Sequence, residues 1–157
     1  MSDISGLKAK LKADVISAVQ GEVAEAAKKA MREAINSTMY ASGGGAYYDR
    51  TGDFLQAIAI EDQKSSGTTS SFKVIVRGSM LTPSFVGDGW NQHMDVNGNA
   101  WNGDGIVEVL DEGTKSRSLY MHKGYRFYEK AHKDMDVELI RVLARSLSSR
   151  GWDVQIV

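Results

Sequence analysis

The chain has no cysteine, one proline (Pro83) and almost no net charge (−1). Without cysteine there is no disulfide, no thiolate metal site and no cysteine nucleophile, which suits folding in a reducing cytoplasm. With one proline, chain reversals fall to the 16 glycines and to Asn, Asp and Ser. A near-zero charge argues against a protein that grips nucleic acid by counterion release, since that mode carries a clear basic excess. The N-terminal MSDISGLKAKLKAD contains no apolar run of signal-peptide length. Nothing approaches the ~20 apolar residues of a membrane span, so a soluble protein with no membrane partner is expected. What is present is a 42% hydrophobic content over 157 residues, enough for one domain around one core.

Ile4, Leu7, Leu11, Val15, Val19, Val23, Ala27, Met31 and Ile35 step by three and four, which predicts one amphipathic helix over about 3–38. Gly21 interrupts it and marks a place to bend. A helix this long exceeds what one small core covers, so part of its stripe is expected to rest on a neighbouring subunit. A Gly-rich loop (Gly43, Gly44, Gly45) flanked by Tyr40, Tyr47 and Tyr48 leads to a turn and short helix over 48–58, with Thr51 as its expected N-cap. Alternation then predicts strands at about 57–62 and 72–77, with Ile58 and Ile60 on one face and Phe72, Val74 and Val76 on one face. A third strand is expected at 106–111 (GIVEVLDEG) after a long loop, 79–105. A second amphipathic helix spans about 128–149, with Val137, Ile140, Leu143, Ala144 and Leu147 on its apolar face and Asp134 or Asp136 as its cap. A short strand at 153–157 closes the chain. No internal repeat is visible. The expected class is α+β: a long N-terminal helix and a C-terminal helix packed on a small, mostly antiparallel sheet of three to four strands, in a single domain over 1–157.

Catalytic and metal signatures are sparse. His93, His122 and His132 lack metal-site spacing. Asp95, Asn97 and Asn99 begin like a calcium loop, but Ala100 stands where glycine should turn and Ile106 where a bidentate glutamate should close the sphere. No GxSxG is present, and GGGAYYDRTG lacks the lysine pattern of a phosphate loop. The reading is a non-enzyme with no cofactor, no metal and no small-molecule substrate.

Two segments carry a resemblance. YDRTGDFLQAI (Tyr48 to Ile58) resembles the R-T-G-x-L-x-x-S-I segment of the tail-completion, or head–tail joining, proteins of long-tailed bacteriophages. VEVLDEGT (Val107 to Thr114) resembles that family's later strand, which ends in an acid shortly before Gly-Thr. The order of elements is also similar. Arg50, Thr51, Gly52, Leu55 and Ile58 match the first motif, with Ala57 where Ser is usual; Asp111, Gly113 and Thr114 match the second, with Glu112 where an aromatic is usual. HKGYRFYEKAHK supplies aromatics before the last helix but not the family's proline.

The resemblance implies a structural virion protein of the neck or upper tail, assembled in the bacterial host cytoplasm. It would act in a homo-oligomeric, hexameric ring that completes the tail for head joining, beside other neck and tail proteins. A tail terminator, or a minor capsid or tail protein at an adjacent position, is the alternative; a small hydrolase or metal-binding domain is the remaining one. Both motifs also have structural readings: Gly52 turns the chain, Thr51 caps, and Arg50 pairs with Asp111 or Glu112. Tyr47, Tyr48, Phe85, Trp90 and Trp101 are candidate interface residues, although the tryptophans would equally close over their own core. From Gly78 to Thr114 there are acids and no Lys or Arg. Asp88, Asp95 and Asp104 are therefore candidates to line a channel through which genomic DNA slides unbound; a solvated acidic face is the simpler reading.

Overall fold

A computed structural model describes residues 3–41, 52–67, 69–81, 103–113 and 123–156. Asp3 starts the first helix as an N-cap, its carboxylate accepting from the Ser5 amide at 3.0 Å. From there α1 (Ile4–Ala18), a π turn (Val19–Val23), α2 (Ala24–Ile35) and a second π turn (Asn36–Tyr40) follow without a break, because every junction residue is right-handed helical. The expected helix over 3–38 is therefore one rod ending at Tyr40. Gly21 sits inside the first π turn, where the sequence placed a bend. In the same turn the Gln20 carbonyl accepts from the side-chain amide of Gln63 at 3.0 Å. From within the second π turn, the hydroxyls of Thr38 and Ser37 both donate back to the Ala34 carbonyl, at 2.7 and 3.1 Å.

A single-turn helix α3 (Asp53–Gln56) leads into β1 (Ile58–Ser66), which pairs antiparallel with β2 (Thr69–Val76). The strands are longer than the alternation predicts. Polar residues read as a wide turn belong to the ladder, with Ser65 opposite Ser70 and their hydroxyls 3.2 Å apart. The reversal is tight and uses Gly67 at φ +57°. An irregularity between Glu61 and Lys64 coincides with Asp62 at φ +51°.

Three expectations are corrected here. The residues predicted as a third strand, 106–111, belong to a helix, α4 (Gly103–Glu112). Ile106, Val107 and Leu110 fall on one helical face, and burying that face outweighs the strand preference of the β-branched residues. Residues 152–156 form no strand, so the sheet has two strands among the described residues. The last helix, α5 (Phe127–Ser149), begins a turn or more before Asp134 and Asp136, which lie in its interior. There they pair with Lys130 (2.6 Å) and His132 (3.6 Å) one turn back.

Two strands alone are marginal, so this hairpin depends on the helices. Ile58 and Val76 enter a core with Met31, Ile35 and Met39 from the long rod, Phe54, Val107, and Phe127 and Ala131 from α5. Phe127 is wholly buried, and its ring meets Phe54 edge-on at 5.5 Å. Removing such a side chain from water stabilises by roughly 1.5–3 kcal/mol. The start of α5 thus lies by the end of α2, while Arg150 just past its end reaches Glu22 at 2.9 Å, so α2 and α5 run antiparallel.

Candidate assembly surface

Asp111 and Gly113, of the second motif, lie beside the entry to α5. Gly113, at φ +93°, ends α4 with its amide donating to the Val109 carbonyl at 2.9 Å. The chain returns so that Tyr125 and Arg126 donate backbone bonds to Leu110 and Asp111 at 2.8 and 2.9 Å. Arg126 holds the N-cap position of α5 in left-handed conformation and makes no side-chain cap. Asp111 supplies one from a distance: its carboxylate accepts from the Tyr128 amide at 3.0 Å. The Tyr128 hydroxyl accepts from the Val76 amide at 2.9 Å, which ties the outer edge of β2 to α5. Burial raises the Tyr128 phenol above its ordinary value. Gly124 (φ +76°) lies so close to the Asp111 carbonyl that a β-carbon there would overlap it.

The first motif is likewise structural where it is described. Gly52 at φ +81° occupies the N-cap position of α3 that was assigned to Thr51, and the Leu55 amide closes on its carbonyl at 3.0 Å. Ile58 is buried and Leu55 packs against the same core. Arg50, Thr51 and Thr114 lie outside the described residues, and with them the expected Arg50 contact to Asp111 or Glu112. Within the described residues, the Asp111 carboxylate accepts from the Tyr128 amide.

Tyr47, Tyr48, Phe85, Trp90, Trp101, Asp88 and Asp95 also lie outside the described residues. Asp104 is exposed in the first turn of α4, where a carboxylate suits the helix dipole. The base of the long 79–105 segment is pinned. Gly78 in a 3-10 turn (Gly78–Met80) approaches Gly103 so closely that a β-carbon on either would overlap the other's backbone.

A second arrangement carries apolar surface outward. Ile4, Leu7 and Leu11 on α1 are 69%, 53% and 40% exposed. Along the stripe Val15 and Val19 are half-buried, and Val23 is its first buried member. Lys8, Leu11, Lys12 and Val15 line a shallow groove of about 450 Å³ along it. On α5 the buried side is set by Ala131, Ser146 and Leu147, with Leu139 and Val142 half-buried. Val137 and Ile140, expected inside, are 56% and 53% exposed on the far side.

Residues the sequence reading missed join the two ends of the chain. The Trp152 indole donates to Asp14 at 2.8 Å, and the Lys10 ammonium sits 5.2 Å over its ring. Arg150 bonds Glu22 at 2.9 Å and lies 3.9 Å from Asp14. Spacing could not reveal these pairs, whose members are far apart in the chain. Tyr128 and Gly124 had a weak signal in the aromatic run GYRFY.

As chemistry, these sites are capping, packing and pairing. Among the described residues no three His, Cys, Asp or Glu side chains gather closely enough to hold a metal. No described helix is long and apolar enough to cross a membrane. No family model, no curated protein and no solved structure matches the chain.

Proposed function

We propose that this protein is a structural subunit of a bacteriophage neck, one copy in a ring at the head–tail joint that completes the tail for joining. The observation that carries this reading is the α1 stripe: Ile4, Leu7 and Leu11 present apolar side chains on a helix that outruns its own core. A surface of that kind, repeated on α5, fits a chain built to pack against other chains. The order of the R-T-G and Gly-Thr segments supports the neck as the place. The second of these ends a helix here, so the support lies in residue order and not in a shared strand. The partners on this reading are sister subunits and neighbouring neck and tail proteins, with DNA passing through and no substrate turned over.

The test is loss of the gene in the phage that carries it. Electron microscopy of lysates should show full heads and unattached tails, rescued by the wild-type chain and not by Leu7→Asp. Normal joined particles from the deletion would sink the proposal.

A further inference from the structure

We infer that α1 is a hinged arm: it pivots at the π turn around Gly21 and is held in line by a latch formed by Arg150 and Trp152. The inference concerns the single chain and does not depend on the ring.

The arm buries little of its own. Residues 3–13 are all exposed, and Ala18 is the one buried residue of α1. From Val23 the rod enters the body, with Ala24, Ala27, Met31, Ala34 and Ile35 buried in turn. Between the two lies the π turn Val19–Val23, where the helix already departs from the α ladder. The turn is anchored to the hairpin, because the Gln20 side chain donates to Ser65 at 2.8 Å and its carbonyl accepts from Gln63 at 3.0 Å. A β-carbon on Gly21 would meet nothing within 4 Å, so the turn has room on that side.

Two side chains just past the end of α5 bridge this pivot. Gly151, at φ +91°, turns the chain back, and the Trp152 amide bonds the Leu147 carbonyl at 3.2 Å. From there the Trp152 indole donates to Asp14 on the arm at 2.8 Å, with the Lys10 ammonium 5.2 Å from its ring. The Arg150 guanidinium bonds Glu22 inside the turn at 2.9 Å and lies 3.9 Å from Asp14. One cation thus spans from the arm to the pivot. Asp14 and Arg150 are 21% and 25% exposed, so water and salt screen them less than the surface pairs along α5. The latch is polar and small, whereas the body beyond Val23 is closed by apolar packing. Breaking it redirects the stripe of Ile4, Leu7 and Leu11 and leaves the core packed.

The natural chain has no cysteine, so two spin labels can be placed at will. Lys8→Cys on the arm and Glu25→Cys on the body are both at exposed positions. Diluted with unlabelled chain, the labelled protein should give one narrow distance near the spacing of a straight helix, about 26 Å. Arg150→Ala with Trp152→Ala should broaden that distance and shorten it. Amide exchange over 4–18 should then quicken at least tenfold, with 24–35 and 127–147 unchanged. Trp152→Phe, which keeps a ring and loses only the indole N–H, should move both readouts the same way by less. An unchanged distance in the double variant overturns the hinge. Exchange that quickens equally throughout α2 and α5 also overturns it, since the contacts would then hold the whole fold and not an arm.

Discussion

The carboxylate of Asp111, at the end of α4, accepts a hydrogen bond from the backbone amide of Tyr128 in the first turn of α5, at 3.0 Å. An acid seventeen residues upstream thus does what a local N-cap does elsewhere. It also fixes where Tyr128 sits, and through the phenol, where the edge of β2 ends. Removing the acid leaves a partly buried amide without that partner. Asp111→Ala should therefore lower the unfolding free energy by about 1–2 kcal/mol in urea titration, with Asp111→Asn costing less. An alanine variant as stable as wild type would show that solvent caps this helix equally well.

Gly124 and Gly151 separate two costs that are usually confounded. Both have positive φ, +76° and +91°, so alanine at either pays the left-handed penalty of roughly 1–2 kcal/mol. Only at Gly124 does a β-carbon also overlap the Asp111 carbonyl; nothing lies within 4 Å at Gly151. Gly124→Ala should be the more destabilising by at least ~1 kcal/mol, since the α4–α5 junction must open to admit it. Equal losses in thermal melts would mean that the junction gives way without resistance.

How far the fold was legible follows from which signals were local. The rod from Ile4, the hairpin and α5 are written in unbroken periodicity, and their ranges agree with the structure within a few residues. The 106–111 segment misled because Ile106, Val107 and Val109 favour a strand on composition, while the deciding fact is a core face offered by other elements. The outer face of α5 misled for a related reason. Val137 and Ile140 form a good apolar stripe, and periodicity cannot tell whether a stripe turns to its own core or to another chain. The Asp111 cap and the Asp14–Trp152 bond were out of reach, since no spacing rule joins residues so distant in sequence.

The π turn at Gly21 invites a substitution in the stabilising direction. No atom lies within 4 Å of the place its β-carbon would take, and its φ is negative like that of its neighbours. Alanine there removes freedom from the unfolded chain and should stabilise by about 0.5–1 kcal/mol. The condition is that the turn keeps its form, because the Gln20 carbonyl must stay within reach of Gln63. A destabilised Gly21→Ala, accompanied by faster amide exchange in the hairpin, would show that the turn needs glycine and that α1 and the hairpin are coupled through it.

Acid should weaken the fold through a few surface carboxylates. Hydrogen bonds from lysine hold two of them below their ordinary values of 3.8 for Asp and 4.5 for Glu: Asp62 by Lys73, at 2.7 Å, and Glu129 by Lys133, at 2.6 Å. Glu22 is lowered by its own backbone amide and then by Arg150. In each case the folded state releases its proton more readily than the unfolded state does. Their contribution is thus complete above the ordinary values and is lost as pH falls through the lowered ones. The urea midpoint should stay level from neutrality down to about pH 5 and decline below about pH 4.5. The decline should be shallow, because these groups are exposed, and shallower still in ~1 M salt, where the screening length is about 3 Å. Lys73 and Lys133 are raised by the same two pairs, so their share persists up to ordinary lysine values and fades only above them. A midpoint that instead drops between about pH 6 and 7 would assign the sensitivity to a histidine and remove these carboxylates as its cause.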